Sequence, residues 1–277
     1  MSFEIIKATG NKEKFDLNKV RRSLKKSGAP DDLIQEIVQE IEKNKTSFTT
    51  TRDIYNFALH ELKKTNKPVA ARYNLKHALM ALGPAGFPFE QFVAELFRKQ
   101  NYEVETNKTV AGYCVEHEVD IIAHKNNEHM TIECKFHNRS GLKSDIKVAL
   151  YCKARFDDLQ KGWKNEKEHT QEIHSSWVVT NTKLTKQALQ YGTCAGLNML
   201  DWKHPEGSCL PDLITKAHLH PITALTTLSK SQQKQFIKDG FVLCSQAKDN
   251  RHLLKKYGLS EEKIEEFISE AEAVCKK

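Results

Sequence analysis

The sequence has no Cys-x-x-Cys pair, no Gly-x-x-x-x-Gly-Lys-Ser/Thr loop, no long apolar run, and no internal repeat or low-complexity tract. Its seven cysteines, at 114, 134, 152, 194, 209, 244 and 275, are widely scattered. That spacing argues against a zinc ribbon and a disulfide framework and suits a reducing cytosol. Without a phosphate-cradling glycine loop there is no argument for ATP hydrolysis. The opening residues, Met-Ser-Phe-Glu-Ile-Ile-Lys, lack the apolar core of an export signal. No stretch approaches the roughly 20 apolar residues a membrane helix needs, so a cytoplasmic protein is expected.

What is present is length and positive charge. The chain has 277 residues, more than one domain usually holds, and a hydrophobic fraction of 39%, enough for ordinary cores. Lys plus Arg number 43 against 36 Asp plus Glu, a net +7. That balance suits a polyanionic partner such as nucleic acid, and equally a plain solvated surface.

Residues 3–7 alternate like a strand, Thr9-Gly10-Asn11 reads as a turn, and Lys14-Phe15-Asp16 returns toward an N-cap at Asp16 or Asn18. Val20, Leu24, Ile34, Ile37 and Ile41 mark two amphipathic helices split by Gly28-Ala29-Pro30. Thr49–Asp53 caps a third helix, and Pro68 separates it from a fourth over Ala70–Leu82. The run Gly83-Pro84-Ala85-Gly86 reads as a boundary. A helix with Phe89, Phe92, Val93 and Leu96 follows, with Glu90 at the edge of its apolar stripe. Strands are expected at Tyr102–Glu105, Val119–Ala123 and His129–Lys135, and a helix over Ser144–Leu159. After a polar loop, Gln160–Glu172, come a strand at Trp177–Thr180, a helix over Thr185–Ala195 and a short strand at Leu197–Leu200. Pro211–Pro221 reads as a linker to short C-terminal helices broken at Asp239-Gly240 and Tyr257–Ser260.

Chemistry concentrates in the middle. Successive strand side chains alternate faces, so Glu133 and Lys135 share a face while Cys134 turns inward, and Asp120 comes from the neighbouring strand. Two carboxylates on one rim can hold a hard divalent cation, and an ammonium beside them can orient water or steady a phosphate. As a string, an acid two before a lysine is uninformative, since five such pairs occur, at Glu61, Glu133, Asp145, Asp201 and Glu261. Only Glu133 lies on an apolar strand after a strand with Asp120 and a helix with Glu90. An ordinary ion pair on a sheet edge, or a nuclease fold kept only for binding, remains the competing reading. His117, His124, His129 and His137 surround the same strands but do not pair at zinc-ligand spacing.

The order Phe89-Glu90-x-x-Val93, Val119-Asp120-Ile121-Ile122-Ala123, Ile132-Glu133-Cys134-Lys135 and Val178-Val179-Thr180-Asn181 resembles the PD-(D/E)xK nucleases, within them the catalytic domain of Mrr-like type IV restriction endonucleases. The resemblance implies magnesium held by Asp120 and Glu133 with the main-chain carbonyl of Cys134, Lys135 positioning water, and Glu90 as accessory carboxylate. The segment Gly112–Glu118 departs from the glycine-rich approach usual there.

Near the N-terminus, Ile5-Ile6-Lys7-x-x-Gly10, Phe15-Asp16-x-x-Lys19-Val20, Thr51-Arg52-Asp53-Ile54 and Val69-Ala70-Ala71-Arg72-Tyr73 resemble an ATP-cone. By that likeness Lys7 and Lys19 meet the phosphates of ATP or dATP, Val20 packs on the base and Thr51 hydrogen-bonds the nucleotide. Ala8-Thr9 replaces the usual Arg-Asp. The C-terminal motifs Gln235-Phe236-x-x-Asp239-Gly240 and Leu253-Leu254-x-x-Tyr257-Gly258 look like a helix-hairpin-helix-type domain of RecA-like recombinases, and fit a small stabilising bundle equally.

The expectation is thus a multidomain chain: a mostly α ATP-cone over 1–83, an α/β restriction-endonuclease-like core with a mixed central sheet over 84–215, and a small all-α domain over 222–277. Its expected function is a magnesium-dependent DNA endonuclease regulated by ATP or dATP, in restriction or repair, with nucleotide-dependent self-association. The alternative is a nucleotide-sensing DNA-binding regulator with a silent nuclease fold.

Overall fold

The computed structural model describes residues 4–7, 10–165 and 173–276. Expectations for Phe3, for Ala8 and Thr9, and for the part of the polar loop over 166–172 lie outside the described residues. The elements run β1 (Glu4–Ile6), β2 (Lys12–Lys14), α1 (Leu17–Lys26), α2 (Asp31–Lys43), α3 (Thr51–Thr65), α4 (Lys67–Tyr73) and α5 (Leu75–Met80). Next come α6 (Phe87–Arg98), β3 (Glu103–Ala111), β4 (Glu116–Lys125), β5 (Glu128–Lys135), β6 (Lys143–Ser144), α7 (Ile146–Asn165), β7 (Ile173–Thr180), β8 (Lys183–Leu184), α8 (Lys186–Cys194), β9 (Asn198–Leu200) and α9 (Leu210–Ala217). The last four helices are α10 (Lys230–Lys238), α11 (Cys244–Lys248), α12 (Arg251–Lys256) and α13 (Glu261–Cys275). No described helix is long and apolar enough to cross a membrane, and the seven cysteines are free thiols.

The chain forms two compact units, one from residues 1–79 with 220–277 and one from 80–219. In the first, β1 and β2 pair antiparallel and Asp16 caps α1, its carboxylate accepting from the Asn18 N–H at 2.9 Å. Gly28 takes φ +81, a conformation without steric cost only for glycine, and turns the chain from α1 into α2. Thr50 and Asp53 close a capping box at the start of α3, which satisfies backbone donors the first turn leaves open. The expected fourth helix is two: α4 starts earlier, with Pro68 in its first turn where no N–H is needed, and the chain breaks at Asn74 before α5. Ile5, Leu24, Ile34, Ile41, Ile54 and Leu62 fill one core here. A second core joins Ala71 and Ala78 to Phe236, Leu254, Ile264 and Phe267, so the C-terminal helices pack on α4 and α5. Buried Glu270 on α13 anchors them by accepting from the N–H groups of Thr226, at 2.8 Å, and Thr227, at 3.0 Å.

The second unit is built on a mixed five-stranded sheet, ordered β3-β4-β5-β7-β9. β3, β4 and β5 are antiparallel neighbours, while β5-β7 and β7-β9 are parallel. Three sequence expectations fail here. β3 runs to Ala111, far beyond Glu105, because this edge strand is too polar to show alternation. α7 continues through Gly162 to Asn165, where a loop was expected. A Cβ at Gly162 would stand 2.5 Å from the Gly112 backbone, so this glycine is a contact point between helix and hairpin. The supposed linker holds α9, with Pro211 in its first turn.

Candidate active site

The site is assembled where β4 and β5 part. Ile121 pairs with Ile132, so the same register sets Asp120 opposite Glu133, one step past the paired residues. There the Cys134 N–H donates to Asp120 Oδ2 at 2.7 Å, fixing the carboxylate across the gap. On the other side, Thr106 pairs Ile121 and Lys108 pairs Val119, while Asn107 between them turns left-handed with φ +52. The ladder is thus irregular beside Asp120. Val119, Ile121, Ile132 and Cys134 are buried, which leaves Asp120 and Glu133 half-buried and Lys135 exposed. Glu90 reaches the same place from the first turn of α6.

Behind Lys135 the chain is locked. Buried Asn181, just past β7, accepts from the His137 N–H at 2.9 Å and donates Nδ2–H to the His137 carbonyl at 2.8 Å. Phe136 packs on Phe89 of α6, with ring centres 5.8 Å apart. Just past Lys135, then, strand, helix and β7 are tied together.

Electrostatics gives the carboxylates a common character. Glu90 titrates at about 7, chiefly because burial disfavours its charge, and then because Asp120, Glu133 and Glu118 repel it. Glu133 also rises to about 7, through burial and Asp120, against the pull of Arg155 and Lys135. Asp120 is raised as well, first by burial, although the Cys134 N–H opposes the shift. Such a set gains from a cation. Buried Cys134 is pushed well above the usual thiol range, so it offers no thiolate. All available donors are therefore oxygens, the chemistry of magnesium or a similar hard ion. Among the described residues no three His, Cys, Asp or Glu side chains already converge on one point. A cation here would draw on two carboxylates with main-chain and water oxygens, as magnesium sites commonly do.

Sequence reasoning missed two residues. Arg155 on α7 forms an ion pair with Glu133, donates to the Tyr151 hydroxyl and lies 4.6 Å over the Tyr151 ring. Nothing local marks an arginine 22 residues away, since a tertiary fold brings it in. Asp158, also on α7, straps down the unusual segment before Asp120. Its carboxylate accepts from the N–H groups of Cys114, at 2.9 Å, and Val115, at 3.3 Å, and from His117 Nε2 at 2.8 Å. These contacts, His117 foremost, hold the Asp158 carboxyl down at about 2. His117 is therefore occupied away from the carboxylates. His124 meets Glu103 at 3.0 Å and His137 meets Ser144 at 3.0 Å, so neither joins the site.

In the first unit, Lys7 and Lys19 are brought together by Glu13, which pairs with Lys7 and lies 3.5 Å from Lys19. Glu13 is held below the usual carboxylate range, first by Lys7. The Ile6 N–H donates to the Thr49 carbonyl at 3.0 Å, so the start of α3, with Thr51, sits beside β1. Val20 is buried in the core behind Lys19.

Comparison with known proteins follows the same division. An ATP cone domain model matches residues 3–77, a restriction endonuclease model residues 85–204, and a model described as AF1548-like, C-terminal, residues 220–275. A protein of Archaeoglobus fulgidus described as uncharacterized is 33% identical over 183 residues, 66% of this chain and 99% of its own. A crystal structure described as AF1548, of unknown function, has TM-score 0.56 and 33% identity, covering 69% of this chain and 98% of that one.

Proposed function

The chain belongs to the AF1548-like family and joins an ATP cone to a restriction endonuclease domain, and from that premise we propose that it is a magnesium-dependent DNA endonuclease governed by an adenine nucleotide. The observation that carries the reading is the register that sets Asp120 opposite Glu133, with the Asp120 carboxylate fixed by the Cys134 N–H, Lys135 on the face of Glu133, and Glu90 near enough to feel both charges. A bound divalent cation supplies Lewis acidity to the phosphate and acidifies water. Asp120 and Glu133 would hold it, with the Cys134 carbonyl. Lys135 orients the attacking water and offsets charge growing on the phosphate. Glu90 accepts a hydrogen bond from water at the edge of the site. The Asn181 clamp keeps Lys135 in register with the carboxylates.

Lys7 and Lys19 bind the nucleotide phosphates in place of Glu13, with Thr51 at the start of α3 contributing a hydrogen bond and Val20 supporting the base. The nucleotide, ATP or dATP, modulates cutting or self-association. The setting we propose is cytoplasmic, in restriction or repair. The Arg155–Glu133 ion pair supports a second reading, a DNA-binding regulator whose nuclease fold is silent, because it already neutralises one of the carboxylates. Supercoiled, linear, branched and single-stranded DNA incubated with and without magnesium, ATP and dATP, beside Asp120→Ala, separates the two. Nicking by wild type and not by the variant supports the enzyme. Equal nicking by both, or none under any condition, overturns it.

A further inference from the structure

The stretch from Lys135 to Arg155 leaves the cutting centre and returns to it, carrying six cationic residues against one acid, Asp145. Lys135, Arg139, Lys143 and Lys147 are exposed along it. Along the same stretch three large apolar side chains also face solvent: Leu142 at 47%, Leu150 at 45% and Tyr151 at 56%. Cations alone suit the outside of a duplex, whose phosphates they neutralise. Exposed rings and aliphatic groups gain nothing there, because a paired base hides its face in the stack. Interleaved cations and aromatic surface instead match strands whose bases are free, where each base offers a π-face to an aromatic platform.

Tyr151 is built as such a platform. Arg155 covers one face of its ring, 4.6 Å from the centre, and donates to its hydroxyl, while Arg155 is itself held by Glu133. The ring is thus oriented by a relay that starts at a catalytic carboxylate, and more than half of it stays open. We infer that Lys135–Arg155 holds DNA with unpaired bases at the cutting centre, one base stacking on the open face of Tyr151. The inference rests on the nuclease reading above and names its substrate class.

Binding tests it independently of cutting. Fluorescence anisotropy of the full-length Asp120→Asn protein is measured with a labelled single strand, with the fully paired duplex of the same sequence, and with the matching RNA strand as competitor. The single strand is expected to bind at least tenfold tighter than the duplex. Tyr151→Ala weakens single-strand binding on the order of tenfold, as loss of one base stack does, and duplex binding less than twofold. Tyr151→Phe, which keeps the ring, restores it. Equal affinity for duplex and single strand, equal losses on both with Tyr151→Ala, or stronger binding of RNA overturns the inference. If wild type nicks plasmid while these preferences are absent, the substrate class fails and the nuclease reading stands.

Discussion

Replacing Asn181 with alanine tests fold stability and catalytic geometry with one change. The side chain is fully buried and bonds both main-chain groups of His137, two residues past Lys135. Alanine deletes both bonds and leaves an N–H and a carbonyl of His137 without their partners. Each bond contributes about 1 kcal/mol net, and each buried group left unmade costs about 1–3 kcal/mol. His137 is partly exposed, so water recovers some of this, and the expected loss is about 2–4 kcal/mol. For a unit of this size that lowers Tm by about 5–12 °C. Asn181→Asp keeps the acceptor for the His137 N–H but sets a buried carboxylate against the His137 carbonyl, and destabilises at least as much. Thermal unfolding by circular dichroism reads the first effect. Nicking measured well below both midpoints reads the second: a misplacement of about 1 Å costs on the order of 100-fold in rate. A Tm within 2 °C of wild type for both variants refutes the clamp, and unchanged nicking despite a lower Tm shows that Lys135 is positioned by something else.

Other consequences are equally direct. The carboxyls of Glu90 and Glu133 titrate at about 7 when folded against 4.5 ordinarily, so the folded state binds more protons between those values. Their contribution is fully present below pH 4.5 and lost as pH rises through 7, so with chelator the Tm falls across that window and Glu90→Gln flattens the fall. A Tm that climbs from pH 5 to 7 through this pair contradicts the shifts. Lys7→Ala and Lys19→Ala each lower ATP affinity at least tenfold by calorimetry, the scale of a hydrogen bond to a charged group. Unchanged binding removes both lysines from the phosphate site. Gly162→Ala sets helix propensity against packing. Propensity alone adds about 0.5–1 kcal/mol, but a Cβ 2.5 Å from the Gly112 backbone costs about 1–3 kcal/mol, so urea unfolding should show a net loss.

What could be read from the sequence was local. Thr50 with Asp53, Asp16 before α1 and Gly28 carry their caps and turn in adjacent residues. Asp120 and Glu133–Lys135 could be placed because apolar residues alternate with them along β4 and β5. The resemblance to a cone and a restriction endonuclease rested on such blocks, and domain models match the same stretches. What stayed hidden was set by distant contacts. β3 is an edge strand with little apolar patterning, Gly162 is needed for the backbone of a hairpin 50 residues earlier, and α9 carries Pro211 as its second residue, where the first turn tolerates it. Arg155 and Asp158 are ordinary charges on a helix until the fold sets one against Glu133 and the other over the segment before Asp120.

Asp120, Glu133 and Lys135 are proposed to form a cation-dependent cutting centre. Glu133→Gln tests it with the least disturbance, since it keeps the shape of the side chain and removes the charge. The measurement is the initial nicking rate of supercoiled DNA across a magnesium titration, wild type beside this variant, with both shown folded by circular dichroism. The prediction is a magnesium-dependent rate in wild type that falls at least 100-fold in the variant, within the span that removal of a charge-stabilising group commonly costs. Nicking at equal rates in both proteins, or at a rate indifferent to magnesium and chelator, would contradict it.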